Sequence, residues 1–259
     1  MLAQENFTGG MIFSSTVPVS LAKGSLLDYL VGRFTYLSAQ EWQEQMARGR
    51  ICQNGEVVVE DRGVSGGDVL AFSPDPEEFP EPPADLSFTI LYEDPWLLVI
   101  DKPGDLLVHR SGRSVTHNLI YQLRFVHQPL YPEVGAVNRL DRETSGVILL
   151  ARRPQFLARL NVLFARHAVT KSYLAVVAGH LATDQGRIDC PIGRDSGSAI
   201  SYRYCAGARA VEAKTAVTRY QVVARYPSCS VLRLWPETGR THQLRVHLAH
   251  IGHPILGDK

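Results

Sequence analysis

Nine consecutive residues, Asn138-Arg139-Leu140-Asp141-Arg142-Glu143-Thr144-Ser145-Gly146, bring two arginines, two acids and two hydroxyls together ahead of the apolar run Val147-Ile148-Leu149-Leu150. Unpaired charge at the mouth of a buried strand is costly, so these groups are expected to pair or to do chemistry. An arginine beside a carboxylate keeps the acid ionised near neutrality. An ionised carboxylate can act as a nucleophile or as a base. Asp141 is therefore a candidate reactive carboxylate, and the residue types alone leave several reactions open.

Other patterns carry less. His242, His247, His250 and His253 look like a metal cluster, but the last three recur every third residue, which on a helix spreads them around the axis. No cysteine or acid at ligand spacing accompanies them except the distant Asp258, so no metal is expected. Gly63-Val64-Ser65-Gly66-Gly67 matches the G-x-S-x-G pattern of serine hydrolases, which requires a helix after the serine. A strand is expected there instead, and Ser65 reads as a turn residue. Neither phosphate-binding glycine motif is present, so no nucleotide cofactor is implied. Cys52, Cys190, Cys205 and Cys229 are scattered and read as reduced thiols.

With 45% hydrophobic and 20% charged residues, the chain has an ordinary globular composition. No apolar run approaches the roughly 18 residues of a membrane-spanning helix. The first residues lack the basic start and apolar stretch of a secretory signal, so a cytoplasmic protein is expected. The net charge of +1 hides a polarised distribution. Residues 74–105 hold nine acids and one base, whereas residues 187–259 hold eleven bases and five acids. Basic charge gathered late in the chain suits a phosphate-bearing partner, and it equally suits a solvated surface.

Several elements must position the candidate residues. Residues 1–20 show no period and are expected to form an arm. Residues 21–73 form a small unit. In it Leu26, Leu27, Leu30 and Val31 have helical spacing, Ser38 precedes a second helix, and Asn54-Gly55 turns into Val57-Val58-Val59. The proline- and acid-rich residues 74–86 read as an extended linker. Beyond it, residues 87–259 alternate strand patterns such as FTILYEDPWLLVIDKP, GVILLAR, KSYLAVVAG and VTRYQVVARYPSCSVLRLWP with helical ones, HNLIYQLRFVH, QFLARLNVLFARH and THQLRVHLAHIG. Strands predominate and short turns join neighbours, so an α+β domain with a mostly antiparallel sheet is expected.

The carboxylate segment resembles the catalytic motif H-R-L-D-x-x-T-S-G of the RluA family of RNA pseudouridine synthases. Three further blocks match in the family's order. They are Tyr92-Glu93-Asp94 through Leu97–Gly104 with Leu107-Val108-His109, then Lys171-Ser172-Tyr173, and finally Gly239-Arg240-Thr241-His242-Gln243-Leu244-Arg245-Val246-His247-Leu248-Ala249. Residues 22–72 are similar to the S4 RNA-binding module that often precedes this domain, through Leu26-Leu27-Asp28, Arg48-Gly49-Arg50-Ile51, Asn54-Gly55 and Gly67-Asp68-Val69-Leu70. Two positions depart from these patterns. Asn138 stands where the family has histidine, and Ala39 follows Ser38 where S4 modules usually carry arginine. The chain ends at Gly257-Asp258-Lys259, where family members generally continue, so a C-terminally truncated form is also expected.

The resemblance implies the pseudouridine synthase fold, an enzyme without cofactor or metal, and structured ribosomal or transfer RNA as substrate; a monomer is the simplest expectation. By the same resemblance Asp141 is the essential carboxylate, assisting departure of uracil, adding covalently to sugar or base, or taking a proton. Tyr173 is the tyrosine that stacks on the flipped base, and Arg245 pairs with Asp141. Arg139 fills the vacated space in the RNA. Leu140, Thr144, Leu244 and His242 are expected at the substrate, Leu244 as an apolar wall. The competing expectation is a catalytically inactive RNA-binding protein or assembly factor that keeps the same fold.

Overall fold

The computed structural model describes residues 12–21, 23–75, 80–166, 168–198 and 203–258. Their contacts form two compact units, one of residues 1–90, 100–132 and 142–147, the other of residues 91–99, 133–141 and 148–259. Among the described residues, no helix is long and apolar enough to cross a membrane. All four cysteines are unpaired.

Two capped helices and a small sheet begin the first unit. Ser25 accepts a hydrogen bond from the amide of Asp28 and starts the helix Leu26–Arg33. Ser38 and Glu41 form a reciprocal capping box at the start of Ala39–Ala47, satisfying amides that the first turn leaves without partners. The strands Ile51–Gln53 and Glu56–Val58 pair antiparallel across Asn54 and Gly55, whose φ values of 55° and 86° fit a tight two-residue hairpin. Val69–Phe72 lies beside Ile51–Gln53. Leu26, Leu30, Trp42, Met46, Ile51, Leu70 and Phe72 fill the core.

Part of the stretch read as an arm over residues 1–20 is paired. Phe13–Thr16 is a strand paired with Val69–Phe72, and the Phe13 ring stacks on Phe72 at 6.1 Å. Residues 1–11 lie outside the described residues. Four residues with three hydroxyls carry too little pattern to mark a strand, and it was the partner strand that decided. Ser65 sits in a turn, its amide bonded to Oδ2 of Asp68, and a strand follows it as expected. A Cβ on the adjacent Gly66 would stand 2.7 Å from the carbonyl oxygen of Val19, so only glycine allows this backbone approach.

The described residues of the proline- and acid-rich stretch form neither helix nor strand. They are nevertheless fastened. Glu81 accepts hydrogen bonds from the amides of Val115, Thr116 and His117 and from the Thr116 hydroxyl. Burial opposes ionisation of Glu81, but these donors outweigh it and hold its carboxyl below the usual range.

The rest of the chain is α+β. Thr89–Glu93, Leu97–Lys102, Gly146–Ala151 and Gly135–Ala136 form one sheet in that order. Asp94 makes the first turn by accepting from the amides of Trp96 and Leu97. The helical pattern of HNLIYQLRFVH gives one turn, Leu119–Tyr121, continued by the wider-wound Gln122–Val126. A second sheet runs Tyr173–Ala178, Cys229–Pro236, Val217–Tyr226 and Gln185–Asp189, antiparallel throughout. Val177, Leu181, Ile188, Leu232, Leu234 and Leu248 form its core, with Leu248 coming from the helix Gln243–His250. Ile192–Asp195, Tyr204–Ala206 and Ala210–Lys214 make a third, three-stranded sheet.

Candidate active site

Asp141 stands in a loop without regular structure, anchored by its neighbour Leu140, which is buried. The residue that follows, Arg142, is held twice through its side chain: Nε donates to Oδ1 of Asp105 at 2.7 Å, and Nη2 to the carbonyl of Pro83 at 2.8 Å. Its carbonyl is also held. Lys102 is fully buried, and its Nζ donates to the carbonyls of Pro103, Leu106 and Arg142 at 2.8, 2.8 and 3.1 Å. Three acceptors compensate the cost of burying the ammonium group and tie the residue after Asp141 to a rigid strand end. Arg139 is exposed, with no hydrogen bond or ion pair among the described residues, and Thr144 is half-buried.

The helix Gln243–His250 brings the second set of groups. Its first residue, Gln243, is buried and fully engaged. Its Oε1 accepts from the Thr238 hydroxyl at 2.7 Å and the Arg240 amide at 3.0 Å. Its Nε2 donates to the Val217 carbonyl at 2.9 Å and to Oγ1 of Thr218 at 3.1 Å. One side chain thus ties the approach loop, the helix start and the strand Val217–Tyr226 together. One residue earlier, His242 adopts φ 54° and ψ 25°, a left-handed conformation that residues with a Cβ rarely use.

His242 and Arg245 meet at Asp141. Nδ1 of His242 is 2.8 Å from Oδ2 of Asp141, and Nη1 of Arg245 is 3.6 Å from the same oxygen. Nη1 of Arg245 is also 2.8 Å from Nδ1 of His242, while Nε of Arg245 donates to Oδ2 of Asp258 at 2.8 Å. The side chain of Asp141 remains 30% exposed, enough for a substrate to reach it. Burial alone would raise its carboxyl. The hydrogen bond and charge of His242, and then the charge of Arg245, outweigh burial and keep it below the usual carboxylate range.

Aromatic groups border the acid. Tyr173 packs against the second sheet's core together with Leu244. Its phenol is pushed up first by burial and then by the charge of Asp141, so it stays protonated near neutrality. The Tyr204 ring meets His242 edge-on with centroids 6.2 Å apart. The site is an ionised carboxylate held between a histidine and an arginine beside a neutral phenol, suited to nucleophilic attack or proton abstraction on an electron-poor ring or sugar carbon.

His247 and His253 have separate structural partners. His247 is fully buried; its Nε2 lies 2.9 Å from the Cys190 carbonyl, and its Nδ1 lies 2.9 Å from Oγ1 of Thr218. Nδ1 of His253 meets the Ala178 carbonyl at 2.9 Å. Among the described residues, no cluster of three or more histidines, cysteines and acids could hold a metal ion.

The structure thus brings Asp141, His242 and Arg245 into contact, with Tyr173 electrostatically coupled to them. Leu244 joins Tyr173 in the core, whereas Arg139, Leu140 and Thr144 belong to the loop itself. Sequence reasoning missed the anchoring work of Gln243 and Lys102, the place of Tyr204, and Asp258 as partner of Arg245. Lys102 carried a usable signal, since it closes the apolar run Leu97-Leu98-Val99-Ile100, whereas Gln243 stands among polar neighbours that hide its burial.

A family model described as RNA pseudouridylate synthase matches residues 96–250, a span that contains Asp141, Tyr173, His242 and Arg245. The chain is 37% identical over 240 residues to the ribosomal large subunit pseudouridine synthase D of Vibrio cholerae, covering 91% of this chain and 72% of that protein. The protein of the same name from Escherichia coli strain K12 is 34% identical over 225 residues, covering 85% of this chain and 66% of that one. Among solved structures, Human RNA Pseudouridylate Synthase Domain Containing 1 superposes with a TM-score of 0.59 at 30% identity, covering 69% of this chain and 71% of that one. The site's residues and these likenesses along most of its length agree: the chain belongs to the RNA pseudouridylate synthase family.

Proposed function

We propose that this protein converts specific uridines of ribosomal RNA to pseudouridine, with Asp141 as the catalytic carboxylate. The observation that carries the reading is the ionised, half-buried Asp141 held by His242 and Arg245 within the family-matched span. The reaction breaks the bond from N1 to C1′, turns the base and joins C5 to C1′. The C5 hydrogen leaves as a proton and N1 gains one, so nothing is oxidised and no group is imported. The chemistry therefore calls for no cofactor.

The target uridine must leave its stack, at a cost of about a few kcal/mol. Exposed Arg139 suits the role of filling the space left in the RNA, and Leu140 and Thr144 frame the loop that receives the nucleotide. Tyr173, neutral and aromatic, suits stacking on uracil, with Leu244 as an apolar wall beside it. Residues 21–73 serve as an S4-like module that grips RNA in a monomeric, cytoplasmic enzyme. Ribosomal RNA is preferred over transfer RNA because the bacterial relatives are named for the large ribosomal subunit.

Mapping pseudouridines in ribosomal and transfer RNA from cells with and without the gene tests the substrate. Loss of one or more ribosomal positions is expected. Loss confined to transfer RNA would overturn the choice of substrate, and an unchanged map would overturn the function.

A further inference from the structure

We propose that His242 is the residue that orients Asp141, as a hydrogen-bond donor through Nδ1, and that Arg245 supplies charge to the carboxylate without fixing its direction. The inference rests on the reading of Asp141 as the catalytic carboxylate.

One atom of His242 faces two partners. Nδ1 of His242 lies 2.8 Å from Oδ2 of Asp141 and 2.8 Å from Nη1 of Arg245. A ring nitrogen has one in-plane site, which holds either a hydrogen or a lone pair. With a lone pair there, Nδ1 would accept from Arg245 but would face a carboxylate oxygen with no proton between them. Two electron-rich atoms at that separation repel. With a hydrogen there, Nδ1 donates to Oδ2 in a short, charge-assisted bond. The Arg245 contact then sets two donors 2.8 Å apart, a repulsion offset by the carboxylate that both face, and Arg245 acts on Asp141 as an ion at 3.6 Å. An ionised Asp141 selects the second arrangement.

The backbone agrees. The left-handed conformation of His242 is strained for a residue with a Cβ, and such strain persists only where surrounding structure imposes it. Here buried Gln243 fixes the next residue through four hydrogen bonds. The turn thereby aims the His242 ring at the loop instead of along the helix. Among the described residues, the charged and titratable groups around the ring include Asp141 from the loop, Arg245 one helical turn on with Asp258 behind it, and Tyr204 from its strand. Tyr173 reaches the group through the charge of Asp141.

Three substitutions in the full chain separate donor from backbone. Asparagine places an amide N–H close to where Nδ1–H stood and tolerates the left-handed backbone. Glutamine places its amide farther out, and glycine relieves the backbone while offering no donor. Single-turnover release of tritium from C5-labelled uridine in ribosomal RNA gives the rate, and filter binding gives the RNA Kd. His242→Asn is expected to keep the rate within about tenfold of the unmodified protein, while His242→Gln and His242→Gly lose about a hundredfold with Kd little changed. An asparagine variant as slow as the glycine variant would overturn the proposal, as would a glycine variant at full rate or a loss lying in Kd.

A second measurement does not need turnover. The ¹⁵N spectrum of the His242 ring in the full chain reports which nitrogen carries the proton. A proton on Nδ1 is expected, and an unprotonated Nδ1 would overturn the proposal. If the unmodified protein released no tritium, the functional reading would fail while this spectrum still decided the tautomer.

Discussion

Nε of Arg245 donates to Oδ2 of Asp258 at 2.8 Å, so the guanidinium that faces Asp141 is braced from behind by a second carboxylate. Asp258 fixes the arginine's direction and offsets part of its charge. What reaches Asp141 is an ion pair at 3.6 Å between groups that are 26% and 30% exposed, neither screened as fully as a surface pair nor as strong as a buried one. Arg245→Ala should therefore lower kcat roughly tenfold or more and change the RNA Kd less. Parallel single-turnover and binding measurements check this. Equal losses in both would place Arg245 at the RNA and not at the acid.

Lys102 offers a test of how the loop after Asp141 is held. Its buried ammonium donates to three carbonyls, one of them that of Arg142. Lys102→Met keeps the stem and removes every donor. Relief of the buried charge offsets part of the loss, yet three acceptors in a dry site lose their partner. A net destabilisation of about 3 kcal/mol is expected from calorimetric unfolding of the full chain. A variant as stable as the parent would show that water replaces the ammonium group.

His247 makes stability depend on pH in a definite direction. Burial pushes its ring below the ordinary histidine value, so the folded protein favours the neutral form more than the unfolded chain does. That contribution is complete above the unfolded value of about 6.5 and is lost as pH falls through that value towards the lower folded one. Unfolding free energy should decline on acidification from about pH 7 to 5, and His247→Gln should flatten the slope. An unchanged slope in the variant would assign the acid sensitivity elsewhere.

What could be read from the sequence was local. The Ser38–Glu41 capping box, the Asn54-Gly55 hairpin and the strand after the Asp141 loop each follow from residue types a few positions apart, and the structure contains all three. The contents of the site were suggested too, Asp141 by its dense polar segment and Tyr173, His242 and Arg245 by the family resemblance. Their arrangement was not. Nothing near His242 marks a left-handed backbone, which arises from the anchoring of Gln243 on a strand 25 residues earlier in the chain. Tyr204 was missed because Ile192–Asp195 and Ala210–Lys214 are short strands with weak alternation, one of them mostly exposed. Phe13–Thr16 likewise depends on a partner more than fifty residues away.

The central claim is that Asp141 is the carboxylate of pseudouridine formation. It is tested most directly by release of tritium from C5-labelled uridine in ribosomal RNA, comparing the unmodified protein with Asp141→Asn. Asparagine keeps the shape of the side chain and removes its charge. The account predicts tritium release by the unmodified protein and none above background by the variant, with RNA binding retained. Release by Asp141→Asn at the unmodified rate would contradict it.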